Sequence, residues 1–198
     1  MIPAHDLGNI RTKKALIRKE AIAKRNAMSA DEVARKSAAI CEAFLASYEY
    51  KNASTILLYK AVNNEVDTDM IFERALSDGK IVAYPLSKIV DGEPDLSFYV
   101  LKDKAKMHPG FKGIPEPDSS CDVMTGPADI CITPGTAYDR RCHRLGYGKA
   151  FYDRYIRLNN PKKVIGLAYD LQIKDDFETE ESDMAVDMVI TETAVYKR

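Results

Sequence analysis

The chain has 198 residues, and 29 Lys and Arg against 30 Asp and Glu leave a formal net charge of −1. This balance argues against a dedicated nucleic-acid-binding protein, because such proteins usually carry a basic excess. No stretch approaches the roughly 20 continuous apolar residues of a membrane-spanning helix, so no membrane association is expected.

The cysteines and histidines are scattered along the chain, with neither a CxxC pair nor the spacing of a zinc site. The first residues, MIPAHDLGNIRTKK, lack the apolar segment of a secretory signal. We therefore expect a cytoplasmic protein with reduced thiols and no metal centre built from histidines. The four thiols belong to Cys41, Cys121, Cys131 and Cys142.

Two helices are predicted at the start of the chain. Residues 13–27 are rich in Ala, Lys, Arg and Leu, with apolar positions at helical spacing. Ser29 followed three residues later by Glu32 is a capping box, which predicts a second helix running to about residue 47.

Beyond residue 50, short apolar runs alternate with helical segments. Thr68 is predicted to cap a helix over residues 69–77, Pro85 to end the strand before it, and residues 145–157 to contain a helix after a glycine-rich entry. Residues 102–126, rich in Pro and Gly, predict a loop. Strands are predicted at 54–59, 80–84, 96–101, 129–133, 164–168 and 188–190.

This alternation predicts an α/β fold: one layered domain over residues 1–198, with a mostly parallel central sheet flanked by helices. No internal repeat or long linker divides the chain. Ligands of such folds bind at the carboxyl ends of the strands. Here those ends are residues 59–60, 84–85, 133–135 and 168–169.

Charge is balanced overall but segregated locally. Residues 11–36 hold nine Lys and Arg against three acids, residues 138–157 hold six against two, and residues 169–187 hold eight acids against one lysine. Solvated helix faces would explain this pattern. Two basic segments converging on a polyanionic ligand, with acids holding a cation, would explain it equally well.

Residues 133–157 read TPGTAYDRRCHRLGYGKAFYDRYIR and carry the strongest chemical pattern. Gly146 and Gly148 precede a predicted helix, where backbone N–H groups and the helix dipole favour an anion. Arg144 and Lys149 add cations suited to phosphate oxygens. A tight strand-to-helix turn would explain the glycines alone, and the segment is not a Walker A loop.

The whole segment closely resembles the RLGYGxGYYDR motif of the 5-formyltetrahydrofolate cyclo-ligases, also called 5,10-methenyltetrahydrofolate synthetases. Residues 133–139 resemble the PGxAFD element of that family. KALIR at residues 14–18, EVDT at 65–68 and DMAVD at 183–187 match further elements in the same order. The resemblance spans about residues 12–192.

The resemblance implies closure of 5-formyltetrahydrofolate to 5,10-methenyltetrahydrofolate while ATP becomes ADP and phosphate, with Mg²⁺ as cofactor. In that family the formyl oxygen is phosphorylated, folate N10 attacks the formyl carbon, and phosphate leaves. Such chemistry needs positioning and cations on the phosphates rather than covalent work by side chains. The implied partners are the reduced folate and ATP, and we expect a monomer.

The resemblance also implies roles for particular residues. Catalytic roles fall to Lys14, Arg144 and Lys149. The implied ATP-binding residues are Lys14, Arg18, Arg144, Leu145, Gly146, Tyr147, Gly148, Lys149, Ala150, Phe151 and Tyr152. The folate would contact Lys60, Glu65, Tyr84 and Tyr152, and Mg²⁺ would be held by Asp153 and Asp183.

Two positions depart from the family pattern. The family usually has glycine at the position of Ala150 and often at that of His143. A methyl group at residue 150 is tolerable in a helical conformation but is strained at positive φ. Two rival functions therefore stay open: a binding protein without turnover, and a sugar-phosphate or CoA-handling enzyme on a similar fold.

Overall fold

The computed structural model describes residues 4–198, with side chains from residue 8 onwards. Its helices are α1 (Ala4–Asn26), α2 (Ala30–Ala46), α3 (Tyr48–Asn52), α4 (Asp69–Ser77) and α5 (Phe151–Asn159). Its strands are β1 (Thr55–Leu57), β2 (Ile81–Val90), β3 (Glu93–Val100), β4 (Met107–Pro109), β5 (Pro115–Pro117), β6 (Ile130–Thr133), β7 (Ala137–Asp139), β8 (Arg144–Leu145), β9 (Lys163–Leu167), β10 (Ile173–Lys174), β11 (Met188–Ile190) and β12 (Val195–Lys197).

A seven-stranded sheet in the order β12-β11-β9-β6-β1-β2-β3 forms the centre of the molecule. The five strands from β11 to β2 in this order run parallel, and β12 and β3 add antiparallel edges. Parallel neighbours need crossover connections, which place helices on the faces of the sheet. The predicted α/β class with a mostly parallel central sheet is confirmed.

Two consecutive residues of β1 pack on opposite faces of the central sheet. Ile56 packs with side chains of α2 and α4, whereas Leu57 packs with Tyr155 of α5. The side chains of Ile56 and Leu57 are fully buried, and the burial of each contributes about 2 kcal/mol to the free energy of unfolding. Successive strand residues point to opposite faces, so helices cover both faces of the sheet.

The predicted second helix and the helix over residues 69–77 are confirmed, whereas α1 begins at Ala4 and not near residue 13, and α3 was not predicted. Glu32 N–H donates to Ser29 Oγ at 3.2 Å and Ser29 N–H donates to Glu32 Oε2 at 3.0 Å, which is the predicted capping box. The helix over Asp69–Ser77 is also present. The Thr68 side chain does not cap it, because its hydroxyl donates to the Tyr59 carbonyl at 2.8 Å instead.

Pro85 does not end β2, contrary to the sequence prediction. β2 continues to Val90, and Pro85 pairs with Phe98 of β3. The Ala83 carbonyl accepts from Leu58 N–H, so the nitrogen two residues later faces the same edge. The strand β1 has already ended at that level, and Pro85 therefore removes no ladder hydrogen bond.

Several short strands were not predicted. The loop-rich tract 102–126 contains the β4–β5 hairpin, and β10, β7 and β8 form a separate three-stranded sheet. Strands of two or three residues are too short to show an alternating pattern. Within residues 4–198, no helix combines the length and apolarity that crossing a bilayer requires.

Candidate active site

A cavity of about 590 Å³ opens beside the carboxyl ends of β1 and β6, with residues of β2 on its wall. The turn at residues 111–116 and the segment 144–153 line its other sides. This is the edge at which parallel α/β sheets bind ligands. Its lining includes Lys60, Glu65, Phe111, Arg144, Lys149, Ala150, Phe151, Tyr152 and Asp153.

Arg144, the first residue of β8, reaches into this cavity and is only 4% exposed. Its Nη1 donates to the Pro134 carbonyl at 3.2 Å, and its Nη2 lies 2.8 Å from Asp153 Oδ1. Among the described residues, the buried Arg144 Nε and the buried Tyr152 hydroxyl have no hydrogen-bond partner. Buried polar atoms are normally satisfied, so these two atoms are available to a polar ligand or to water.

The loop between β8 and α5 carries the two glycines. A Cβ atom at Gly146 would lie 2.8 Å from Arg144 Nη1, so a larger residue would displace that guanidinium. Gly148 has φ +82°, a left-handed value that favours glycine. Arg18 of α1 donates from Nε to the Gly146 carbonyl at 2.8 Å. The structure thus brings Arg18 into contact with the predicted ATP-binding loop.

Ala150 is the N-cap residue of α5 and has φ +55° and ψ +15°. The left-handed conformation is costly for a residue with a Cβ atom, and the Ala150 side chain makes no capping hydrogen bond in return. A positive φ is the case in which strain is expected for a residue with a methyl group. Its neighbours Lys149 and Phe151 line the cavity, and the Phe151 ring packs edge-on against Phe111 at 5.7 Å.

Leu145, a predicted ATP-binding residue, directs its side chain away from the cavity. It is 1% exposed and packs with Ala21 and Phe177 in a small core beneath α1. Its carbonyl accepts from the N–H and the hydroxyl of Thr136. Leu145 therefore anchors the start of the loop.

Lys14 is almost fully buried although it lies on the first helix. Its ammonium donates to Glu180 Oε2 at 2.9 Å and to Asp183. Asp183 also accepts from the Glu180 N–H at 2.7 Å. The predicted catalytic lysine thus lies against the acidic C-terminal tract and is not part of the cavity wall.

The two predicted metal ligands, Asp153 and Asp183, lie close together in the folded protein. Asp153 Oδ1 accepts from the Met184 N–H at 3.0 Å, next to Asp183. Each carboxylate already has a cationic partner, Arg144 for Asp153 and Lys14 for Asp183. The predicted cations and the predicted metal ligands therefore neutralise each other here.

Glu65 follows β1 and is buried within the cavity wall. Tyr147 donates its hydroxyl proton to Glu65 Oε1, and the Val62 N–H donates to Oε2 at 3.0 Å. Burial raises the pKa of the Glu65 carboxyl, while these two hydrogen bonds and the Arg25 guanidinium act to lower it. The predicted ATP-binding residue Tyr147 thus contacts the predicted folate-binding residue.

Two further predicted folate contacts differ in position. Lys60 lines the cavity and pairs with Asp69 at 2.7 Å. Tyr84 does not line it: this side chain is 1% exposed and packs edge-on against Phe72 of α4 at 5.7 Å. Adjacent strand residues face opposite sides, and Pro85 takes the cavity side.

Sequence reasoning missed Arg25, which is 1% exposed. Its guanidinium donates to the Tyr147 hydroxyl at 2.6 Å and lies 3.9 Å from Glu65 Oε1. The only signal for it was its place in the basic segment 11–36, which does not distinguish it from solvated cations.

The basic turn after β7 lies outside the cavity. Arg141 pairs with Asp176, and His143 Nδ1 lies 2.7 Å from Asp139 Oδ2. In the described part of the chain, Asp139, His143 and Asp176 are the one group of three whose ligand-type atoms lie within 4.8 Å of each other. Asp139 also accepts the N–H groups of residues 141 and 143, so local pairing accounts for this group.

The fold and this site define a ligand-binding α/β protein whose cavity combines buried cations, a buried carboxylate and a glycine-containing loop. A model of the 5-formyltetrahydrofolate cyclo-ligase family matches residues 10–192. The chain belongs to that family, which is a family of enzymes. The resemblance proposed from the motifs is confirmed over nearly the same range.

Individual relatives agree with this assignment. The chain is 27% identical to the 5-formyltetrahydrofolate cyclo-ligase of Mus musculus over 193 residues, covering 92% of this chain and 95% of the mouse protein. The NMR structure of Aquifex aeolicus 5,10-methenyltetrahydrofolate synthetase superposes with a TM-score of 0.81 at 29% identity, covering 93% and 92%. For the Mycoplasma pneumoniae synthetase the TM-score is 0.69 at 27% identity, covering 90% and 98%.

Proposed function

We propose that this enzyme converts 5-formyltetrahydrofolate to 5,10-methenyltetrahydrofolate and uses ATP as the phosphoryl donor. The observation that carries the proposal is one cavity lined by the Glu65 carboxylate, by Arg144 and by Tyr152, in which Arg144 Nε and the Tyr152 hydroxyl have no partner among the described residues. The Glu65 carboxylate suits the N–H donors of a pterin ring. Arg144 and Tyr152 suit a phosphoryl group or the oxygen that receives it.

The pterin contact follows from the hydrogen-bonding capacity of a carboxylate. An ionised carboxylate offers about four lone-pair sites. Val62 and Tyr147 occupy one site on each Glu65 oxygen, which leaves one on each. These two sites match a ring N–H beside an exocyclic amino group, as in the pterin of the folate.

The proposed chemistry begins at the formyl group on N5. The formyl oxygen forms a bond to the γ-phosphorus of ATP, and the bond to the ADP oxygen breaks. The N10 lone pair then attacks the formyl carbon, phosphate leaves with the electrons of the carbon–oxygen bond, and N10 loses its proton. The product holds the one-carbon unit between both nitrogens.

Protein side chains contribute positive charge and position rather than covalent bonds. Arg144 and Lys149 face the cavity and would stabilise negative charge on the transferred phosphoryl group. Arg18 holds the loop that carries Gly146 and would bind phosphate from α1. Lys14 would exchange its carboxylate partners for phosphate oxygens.

Asp153 and Asp183 are proposed to hold Mg²⁺. Their oxygen atoms are the donors this ion prefers, and it commonly binds one or two carboxylates together with water and phosphate oxygens. Both side chains are partly exposed, at 18% and 23%, which leaves access for water ligands. When bound, the ion would neutralise phosphate charge.

We also propose that the enzyme acts as a monomer. Size-exclusion chromatography with light scattering should give a mass near 22.2 kDa at working concentrations. A dimer that persists on dilution would contradict this.

The deciding experiment follows the near-ultraviolet absorbance of the methenyl product from 5-formyltetrahydrofolate, ATP and Mg²⁺, with each component omitted in turn. Product only in the complete mixture supports the proposed reaction. Binding of folate and ATP by calorimetry without product would instead support the binding-protein alternative. An absence of both binding and product would refute the proposal.

Lys149→Ala tests the phosphate role. We expect kcat/KM for ATP to fall about 10–100-fold, which corresponds to roughly 1.4–2.7 kcal/mol of transition-state stabilisation. Lys51→Ala is the matched control, because Lys51 is an exposed residue of α3 outside the cavity lining. Equal activity of the two variants would remove Lys149 from the mechanism.

A further inference from the structure

A chain of hydrogen bonds connects α1 to the Glu65 carboxylate. Arg25 Nη2 donates to the Tyr147 hydroxyl at 2.6 Å, and that hydroxyl donates to Glu65 Oε1. Arg25 Nη1 also lies 3.9 Å from the same oxygen. Consecutive hydrogen bonds of this kind polarise and strengthen one another in a buried site.

The remaining contacts of Arg25 fix it in place. Its Nε donates to the Asn63 carbonyl at 3.0 Å and its Nη1 to the Gly135 carbonyl at 3.5 Å. A guanidinium cannot lose its charge in a protein, and this one is 1% exposed. Such a buried cation requires a nearby anion, and Glu65 is the anion within 4 Å among the described residues.

We propose that Arg25 is a positioning residue that keeps Glu65 ionised and oriented for the folate, directly and through Tyr147. This inference rests on the proposed function, because it concerns the carboxylate assigned to the pterin ring. A neutral Glu65 would carry a proton on one oxygen, so one of the two free acceptor sites would become a donor and could no longer accept from the pterin. Burial alone favours the neutral acid, and the Arg25 charge opposes it.

Arg25 is the cation whose charge lowers the pKa of Glu65; Lys60 and Lys149 also line the cavity, and Lys60 pairs with Asp69. Burial raises the pKa values of the tyrosine neighbours of Glu65 well above neutral, so these phenols stay uncharged in the working range. Arg144 faces the same cavity but pairs with Asp153. The tyrosine neighbours of Glu65 are Tyr59, Tyr138, Tyr147, Tyr152 and Tyr169. The Tyr169 hydroxyl donates to the Glu65 carbonyl.

The test measures the KM for 5-formyltetrahydrofolate from pH 5 to 9 in the complete enzyme. Arg25→Met should raise this KM at least about 10-fold at pH 7. The KM should also increase in acid as Glu65 becomes protonated, and in Arg25→Met this increase should begin at a higher pH. Arg25→Lys should recover part of the affinity. Glu65→Gln should have a high KM without this pH dependence, and the KM for ATP should change less than threefold in the Arg25 variants.

Two further variants separate positioning from general stability. Tyr147→Phe removes one hydroxyl from a side chain that is 43% exposed, so it should fold and should shift the folate profile in the same direction by a smaller amount. Arg35→Met is the matched control, because Arg35 is an exposed cation of α2. Its profile should coincide with that of the original chain.

Equal pH profiles in the original chain, Arg25→Lys and Tyr147→Phe would overturn the proposal, whatever happens to the absolute KM. Failure of Arg25→Met to fold would leave the decision to those two milder variants. A ¹³C NMR titration of the Glu65 carboxyl gives a readout independent of turnover. If the original chain does not catalyse the proposed reaction but the Glu65 carboxyl still titrates at a higher pH in Arg25→Met or Arg25→Lys than in the original chain, the proposed function is refuted and the role of Arg25 is supported.

Discussion

Ala150→Gly should stabilise this protein, although replacing alanine with glycine usually does the opposite. Ala150 has φ +55° at the N-cap of α5. A left-handed conformation costs a residue with a Cβ atom about 1–2 kcal/mol. Glycine adopts it without that cost but gains freedom in the unfolded chain, which offsets about 0.4–1 kcal/mol.

The difference between these terms favours glycine. We expect the free energy of unfolding to rise by about 0.5–1 kcal/mol, and Tm by about 1–4 °C for a chain of this size. Differential scanning calorimetry and urea titration of the ligand-free protein would both measure it. The slope of the urea transition should not change, because the exposed surface area is the same.

Ala34→Gly provides the matched comparison. Ala34 is an exposed residue inside α2, where glycine should destabilise by about 1 kcal/mol. The two substitutions remove the same methyl group, so opposite signs would isolate the effect of backbone conformation. A loss of stability in Ala150→Gly similar to that in Ala34→Gly would refute the argument and mean that residue 150 is not held in the left-handed region.

Three further outcomes are expected. Asp129→Ala should cost about 1–2 kcal/mol at pH 7, because Asp129 accepts from Lys162 and from two N–H groups at the start of β1. These contacts lower the pKa of Asp129, so in pH-dependent urea unfolding the difference should persist above about pH 4 and vanish as the pH falls through the lowered pKa. Gly166→Ala should cost about 2–3 kcal/mol, since its Cβ atom would lie 2.8 Å from Cζ of the buried Tyr138; an unchanged urea midpoint would contradict this packing. In the native protein only Cys121 should react rapidly with a thiol reagent, because the other three cysteines are buried and burial raises their pKa values; a second fast thiol that survives Cys121→Ser would count against it.

Elements with local signals were predictable from the sequence. The Ser29–Glu32 capping box depends on groups three residues apart, and it forms as expected. The alternation of short apolar runs and helices was sufficient for the α/β class. Position in a strand, by contrast, did not show which face a residue takes, and Tyr84 was assigned to the cavity although it packs against Phe72.

Features that depend on distant partners were not predictable. Continuation of β2 past Pro85 depends on where β1 ends, which the residues around Pro85 do not reveal. The burial of Arg25 depends on the Asn63 and Gly135 carbonyls and on Tyr147. Nothing in the sequence around Arg25 distinguishes it from the other eight Lys and Arg of residues 11–36. The roles of Asp153 and Asp183 toward a metal ion stay predictions.

The pairing of Lys14 with the C-terminal acidic tract has a consequence for synthesis of the protein. Its partners Glu180 and Asp183 lie 166 and 169 residues later in the chain. At typical translation rates the ribosome needs roughly 8–30 s to reach them. During that interval α1 cannot make these ion pairs, and the Lys14 ammonium has to remain in water. A product that stops before Glu180 should therefore lack both ion pairs and leave the Lys14 ammonium without these partners.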